Sequence, residues 1–204
     1  MGGLSRYNTG DAGLVEQGVL KNKLNIIDSQ VLSDIETILL NDSYDFFINR
    51  LQNKGLVFDV KLVFDIHKFF LGTLYSWAGS IRKVNISKGE SFFVPSVYIP
   101  NALDYFEGIL KKNMPIKGDN KSIVVKKIAL IACEFNVIHP FREGNGRTIR
   151  LFIDLLLLSI GYKVADYSQV SVRNYIEASI AGMNKDYKPM EKVLRKVLSI
   201  QKTR

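Results

Sequence analysis

The chain has 204 residues, 47% of them hydrophobic and 24% charged, with a net charge of +8 and a pI near 9.5. That is enough chain for one full-sized domain with a real core, in a balance ordinary for a soluble globular protein. A lone cysteine, Cys133, excludes a disulfide framework and a cysteine-based zinc site, and no apolar run is long enough to span a bilayer.

The first eighteen residues, rich in glycine and polar groups, read as an irregular N-terminal arm. They lack the basic and apolar blocks of a signal peptide, and Arg6 stands where a myristoylation motif needs serine or threonine. Residues 19–204 read as a single domain that begins with "VLKNKLNI". In "VLSDIETILL" the helical period puts Val31, Ile35, Ile38 and Leu39 on one face, and "YDFFINRLQ" continues after a break at Asn41-Asp42. "FDVKLVFDIHKFFLGTLYSWAG" predicts a second helix ending at Ala78-Gly79. Its apolar stripe comprises Val60, Val63, Phe64, His67, Phe70, Leu71 and Leu74. "IRKVNIS" and "SFFVP", joined by Lys88-Gly89-Glu90, form the one convincing hairpin.

Five more helices follow: "YIPNALDYFEGILKKN", "SIVVKKIALIACEFNVI", an apolar one from about Arg147 to Gly161, "SVRNYIEASIAGMN", and a last one over 189–201. The fold class is therefore mainly α, with one small β-hairpin. Lysines gather in "ILKKNMPIKGDNKSIVVKK" and in "KVLRKVLSIQKTR". A basic surface can meet nucleic acid, nucleotides or an acidic protein, but no zinc-finger or RNA-recognition spacing accompanies it. Solvated helix faces are the plainer reading.

The chemistry concentrates in "HPFREGNGRTIR", residues 139–150, between two apolar helices. A glycine-bearing loop that opens a helix leaves backbone N–H groups unpaired at the positive end of the helix dipole, which suits a phosphate. Gly144 and Gly146 allow close approach of the backbone, and Asn145 can add a side-chain donor. Arg147 and Arg150, three residues apart, reach from one face and suit a polyphosphate better than a single carboxylate. Glu143 beside phosphates implies a cation between them, and magnesium held by one carboxylate plus substrate oxygens is such an arrangement. His139 stands near enough to accept a proton from an incoming hydroxyl. Each residue alone has an ordinary structural reading; their concurrence within twelve residues marks a nucleotide site.

This stretch resembles the signature of the Fic (Fic/Doc, Fido-domain) family: histidine-x-phenylalanine-x-acid-Gly-Asn-Gly-Arg-x-x-arginine, with every fixed position filled. "IHKFFLGTLYSWAGSIRKVNISKG" and "VLKNKLNI" are similar to the flap region and the lead-in of bacterial members, so the likeness spans about residues 19 to 182. The resemblance implies a Fic-type helical domain whose hairpin, over 81–95, is a flap that registers a target protein. It implies protein adenylyltransfer: AMP moves from ATP, with Mg²⁺, to a Ser, Thr or Tyr hydroxyl. His139 would be the base and Glu143 the metal ligand. Gly144, Asn145 and Gly146 would form the anion hole, with Arg147 on the β-phosphate side and Arg150 toward the γ-phosphate. Ser87 and Lys88 at the flap turn would touch nucleotide or target, a plain solvated turn being the other reading.

Many members carry an inhibitory Ser/Thr-x-x-x-Glu motif whose glutamate occupies the second arginine. No glutamate of this chain has serine or threonine four residues earlier. By resemblance that implies a class I arrangement, in which a toxin is restrained by a small separate antitoxin that supplies the glutamate. The single cysteine and the missing leader fit a cytoplasmic protein. Secretion as an effector is the other placement the resemblance allows. Transfer of another phosphate-containing group, as by a kinase, and a non-catalytic nucleotide- or DNA-binding module stand as alternatives.

Overall fold

The computed structural model describes residues 19–89 and 91–199, together with the backbone of residues 8–9 and 15–16. Among the described residues seven α-helices carry the fold. They are α1 (Ser29–Lys54), α2 (Val60–Leu71), α3 (Ile99–Asn113), α4 (Lys121–Ile138), α5 (Asn145–Ser159), α6 (Val172–Met183) and α7 (Lys188–Val197). The short strands are β1 (Asn8–Thr9), β2 (Val15–Glu16), β3 (Val19–Leu20), β4 (Ile86–Lys88) and β5 (Ser91–Phe92).

The helix α4 is central because its sequence is apolar on most sides. Ten of its residues are buried, from Val124 to Ile138, each apolar side chain contributing about 1.5–3 kcal/mol of transfer free energy. Asn120 caps its N-terminus by accepting the Ile123 N–H. Around it α2, α3, α5, α6 and α7 share one core that includes Ile66, Phe106, Phe135, Phe141, Phe152 and Leu194. A smaller core joins β3 to α1 and α2 through Leu20, Leu32, Phe70, Leu74 and Tyr75. Buried Glu134 accepts from Lys185 Nζ at 2.7 and 2.8 Å and ties α4 to the turn between α6 and α7. No helix among the described residues is long and apolar enough to cross a membrane.

Several sequence expectations are corrected. Helix α1 runs without a break through Asn41-Asp42, since the Ser43 hydroxyl donates to the Leu39 carbonyl and Ser43 packs inside. Its buried face is Leu32, Glu36, Ser43 and Phe47, while Val31 and Ile38 are exposed. Helix α2 stops at Leu71 rather than at Ala78-Gly79; Gly72, Leu74 and Tyr75 close it with turn hydrogen bonds to Lys68 and Leu71. Helix α7 ends at Val197, not 201: Lys121 Nζ takes the Leu198 carbonyl, and the Asp166 N–H takes that of Val197. Residues 200–204 lie outside the described residues.

The hairpin is also more than a hairpin. Strand β4 pairs with β5 on one side and with β1 on the other, in the order β1-β4-β5, and β2 pairs with β3. The expected irregular arm therefore contributes strand at 8–9 and 15–16; the rest of residues 1–18 lies outside the described residues. Glu90, in the hairpin turn, does so too.

Candidate active site

The turn from α4 to α5 is built around a backbone conformation that few residues adopt. His139 caps α4 in the left-handed region, at φ 48° and ψ 59°, and Gly144 caps α5 at φ 83°. Between them the loop folds back on itself through Asn145. Its side-chain oxygen accepts the Phe141 N–H at 2.9 Å, and its amide donates to the Phe141 carbonyl at 2.8 Å. The expected ligand donor at Asn145 is thus corrected. The buried side chain is engaged by the loop itself, through both its oxygen and its amide.

No side chain caps α5. The N–H groups of its first turn, at Asn145, Gly146 and Arg147, point out of the helix at the positive end of its dipole. A Cβ added at Gly146 would meet nothing within 4 Å, whereas one at Gly144 would lie 2.7 Å from Leu71 Cδ1. The two glycines thus serve different ends: Gly144 allows close packing on α2, and Gly146 keeps the cradle open.

His139 is 5% exposed and its ring stacks on Phe93 at 3.9 Å. Nδ1 lies 3.1 Å from the Asn136 carbonyl, so that nitrogen carries the hydrogen and Nε2 is the basic one. Burial, with Arg82 and Lys88 nearby, lowers its pKa to about 3 despite the opposing pull of the Asn136 hydrogen bond, which keeps the imidazole neutral. Arg82 fixes the peptide of this residue: its guanidinium donates to the carbonyls of His139 (2.8 Å), Val84 (2.7 Å), Ile138 (3.3 Å) and Val94. It is 4% exposed, and burial lowers its pKa to about 10, leaving it charged. A cation at the C-terminus of α4 suits the dipole there.

His67 does the same for the far end of the loop. Its Nδ1 accepts the Gly79 N–H at 2.8 Å, so Nε2 carries the hydrogen and donates to the Glu143 carbonyl at 2.9 Å. The ring stacks on Phe141 at 3.7 Å, and burial lowers its pKa to about 4. Sequence periodicity placed His67 in an apolar stripe; a histidine there is the clue that a backbone group needed a partner.

The turn from α4 to α5 borders one cavity of about 290 Å³. His139, Glu143, Gly144, Gly146, Arg147 and Arg150 come together there, as the sequence implied, and Lys88 reaches it from the flap. Ser87 does not. Side chains alternate along a strand, so Lys88 faces the cavity and its neighbour faces away. Ser91 and Phe93 supply the rest of the flap side. The opposite wall, missed in the sequence, is the α6 row Val172, Tyr175, Ile176, Ile180 and Met183. Three apolar residues four apart, Val172, Ile176 and Ile180, were the available signal; all three are exposed.

The charges are arranged for a polyanion. Arg150 donates through Nε to the Gly146 carbonyl at 3.1 Å and lies over the rings of Tyr167 and Tyr175. Arg147 Nη2 lies 3.9 Å from Glu143 Oε1, which also accepts the Gly144 N–H at 3.0 Å. Among the described residues no group of three His, Cys, Asp or Glu side chains could hold a metal. Glu143 is one carboxylate beside an anion cradle, which fits a magnesium ion that takes its other ligands from substrate phosphates and water.

The family model described as Fic/DOC matches residues 57–157. A protein from Sinorhizobium fredii named probable protein adenylyltransferase y4lH is 29% identical over 95% of this chain and 99% of its own length. The protein adenylyltransferase VbhT of Bartonella schoenbuchensis is 31% identical over 90% of this chain but only 38% of its own. Among solved structures, BepC of Bartonella tribocorum with bound AMPPNP superposes with a TM-score of 0.77 at 23% identity, over 93% of this chain and 97% of that one. The chain belongs to the Fic/DOC family.

Proposed function

We propose that this chain is a protein adenylyltransferase, moving AMP from ATP to a side-chain hydroxyl of another protein and releasing pyrophosphate. The observation that carries the reading is the single cavity that joins a neutral histidine, a carboxylate, an uncapped helix N-terminus and two arginines to an apolar wall. Relatives of similar length named as adenylyltransferases support it.

The apolar α6 wall suits the nucleotide base, and the first turn of α5 the phosphates. The target hydroxyl gives its proton to Nε2 of His139 and its oxygen bonds to the α-phosphorus. The bond from the α-phosphorus to the bridging oxygen breaks, and pyrophosphate leaves toward Arg147 and Arg150. Mg²⁺, when bound at Glu143, would neutralise charge on the phosphates. The α5 N–H groups stabilise charge that grows on the α-phosphate oxygens, a preorganised donor set that needs no rearrangement. Incubation of the protein and a cell lysate with α- or γ-labelled ATP tests this. Only the α label should reach protein, and His139→Ala should abolish transfer. Movement of the γ label would indicate a kinase, and no transfer at all a binding module.

The target segment docks along the flap by strand addition. Strand β4 is already paired by β1, so the edge offered is that of β5. A small antitoxin protein restrains the enzyme by placing a glutamate on Arg150. Support for this comes from the missing inhibitory motif, and from the fact that among the described residues no carboxylate pairs with Arg150. A buried, reduced Cys133 supports a cytoplasmic setting. Expression of the chain alone should arrest growth; equal toxicity of wild type and His139→Ala would remove the toxin reading.

A further inference from the structure

Arg147 is held from outside the motif that contains it. Its Nη1 donates to Glu36 Oε2 at 2.6 Å, and the other oxygen of that carboxylate accepts the Tyr75 hydroxyl at 2.7 Å. Glu36 is 1% exposed, in the N-terminal third of α1 and outside the region matched by the family model. Burial, with the Glu36 charge beside it, pushes the Tyr75 hydroxyl far above its ordinary pKa, so it stays a donor. Phe70 closes the other face of the guanidinium, 4.9 Å from ring centroid to Cζ. One step further along the same two helices, Tyr44 on α1 donates to Asp154 on α5 at 2.7 Å. The spacing of Glu36 and Tyr44, eight residues, meets that of Arg147 and Asp154, seven, along facing helix rows.

A buried ion pair is a poor way to stabilise a helix contact, because removing both charges from water costs about what their attraction returns. A leucine at position 36 would pack α1 on α5 at less cost. What the carboxylate adds is direction. An arginine side chain carries about 2 kcal/mol of rotamer entropy. Binding of one terminal nitrogen to a carboxylate that is itself fixed by Tyr75 holds the guanidinium at the cavity wall, with Nη2 3.9 Å from Glu143 Oε1. The side chain is then ordered before substrate arrives, and binding need not order it. With both oxygens engaged and buried, Glu36 is also unable to swing clear, which separates it from a removable inhibitory glutamate.

We propose that Glu36, seated by Tyr75, is the positioning residue for Arg147. It acts through that arginine and does not touch the nucleotide. The assignment rests on reading the cavity as a nucleoside triphosphate site in which Arg147 meets phosphates beyond the first.

The test is calorimetric titration of the full chain with ATP and with AMP, each with Mg²⁺, for wild type, Glu36→Gln, Tyr75→Phe and Arg147→Ala. Glu36→Gln keeps the shape and should weaken ATP about tenfold, as loss of a charge-assisted hydrogen bond would. AMP should change less than twofold, since it lacks the phosphates Arg147 meets. Tyr75→Phe should move ATP in the same direction by a smaller factor. In the Arg147→Ala background, Glu36→Gln should have no further effect on ATP. Equal weakening of ATP and AMP would overturn the assignment in favour of a general packing role. Unchanged or tighter ATP binding would overturn it as well, the tighter case marking Glu36 as a competitor for Arg147. A wild-type chain that binds AMP but gains nothing from added phosphates removes the parent reading and this assignment together.

Discussion

The Nε hydrogen of Arg82 points at the backbone carbonyl of His139, 2.8 Å away, and the same guanidinium reaches carbonyls on both strands' flanks, at Val84 and Val94. One side chain thus fixes the flap base and the catalytic turn relative to each other. Arg82→Ala leaves several buried carbonyls without this donor and should cost about 2–4 kcal/mol. Arg82→Lys keeps the charge but not the fork, and should keep more of the stability than of the transfer rate. Urea unfolding set beside labelled-ATP turnover checks both; an Arg82→Lys enzyme of full activity would show that the fork geometry is unimportant.

Both histidines are buried neutral, and that has a direction with pH. In the unfolded chain each imidazole takes up a proton below about pH 6.5. Folded, His67 holds off until about pH 4 and His139 until about pH 3. The unfolded state therefore binds more protons in that window, and stability falls as pH falls below 6.5, by up to about 1.4 kcal/mol per pH unit for each histidine. Denaturant midpoints at pH 7, 6 and 5 should show this slope, and His67→Gln should remove part of it. With His139 as the proposed base, kcat/KM for ATP should show no acid limb near pH 6.5, because that imidazole is already neutral there.

The two loop glycines should separate folding from binding. Gly144→Ala places a methyl 2.7 Å from Leu71 Cδ1 at a positive φ, so stability should drop by about 1–3 kcal/mol. Gly146 is helical, and its added methyl would meet open space at the cavity. Gly146→Ala should raise stability by up to about 1 kcal/mol from helix propensity, while ATP affinity falls at least about tenfold. Thermal melts and nucleotide titration on the two variants settle it; a Gly146→Ala protein that binds ATP normally would refute the open-cradle role.

The wall opposite the loop depends on an equally close contact. A Cβ on Gly182 would lie 2.3 Å from Cys133 Sγ, so Gly182→Ala must push α6 off α4. A loss of about 1–3 kcal/mol is expected, partly recovered in Gly182→Ala/Cys133→Ala. The Cys133 thiol is fully buried, and burial pushes its pKa up to about 12, so native protein should resist alkylation until it unfolds.

What could be read from the sequence follows from where the signal is local. The loop from His139 to Arg150 is one contiguous stretch of chain, so its spacing alone carries most of the site. The helices α3, α4 and α6 are regular and were bounded to within a few residues. The face of α1 was not legible, because an apolar-face rule favours Val31 and Ile38 and must miss buried Glu36 and Ser43. Those two are inside for reasons an apolar-face rule does not weigh: a partner at Arg147 on α5 for one, a carbonyl of its own helix for the other. Asn145 shows the converse error. Its motif position was right, but its hydrogen-bond partners depend on how the loop closes, which spacing does not reveal. Strand β1 pairs across nearly eighty residues, in a segment too short and too polar to announce itself.

The turn at His139 also sets a limit on durability. A non-glycine residue in the left-handed region costs about 1–2 kcal/mol, and this one additionally carries a desolvated ring whose protonation the fold resists. Asparagine tolerates the same backbone and does not titrate. Between pH 7 and pH 5 the stability of His139→Asn relative to wild type should therefore improve by about 2 kcal/mol, as read from paired denaturation curves. In mild acid the balance thus moves toward the variant, so a screen for robustness in this fold would press against the histidine proposed to carry its chemistry.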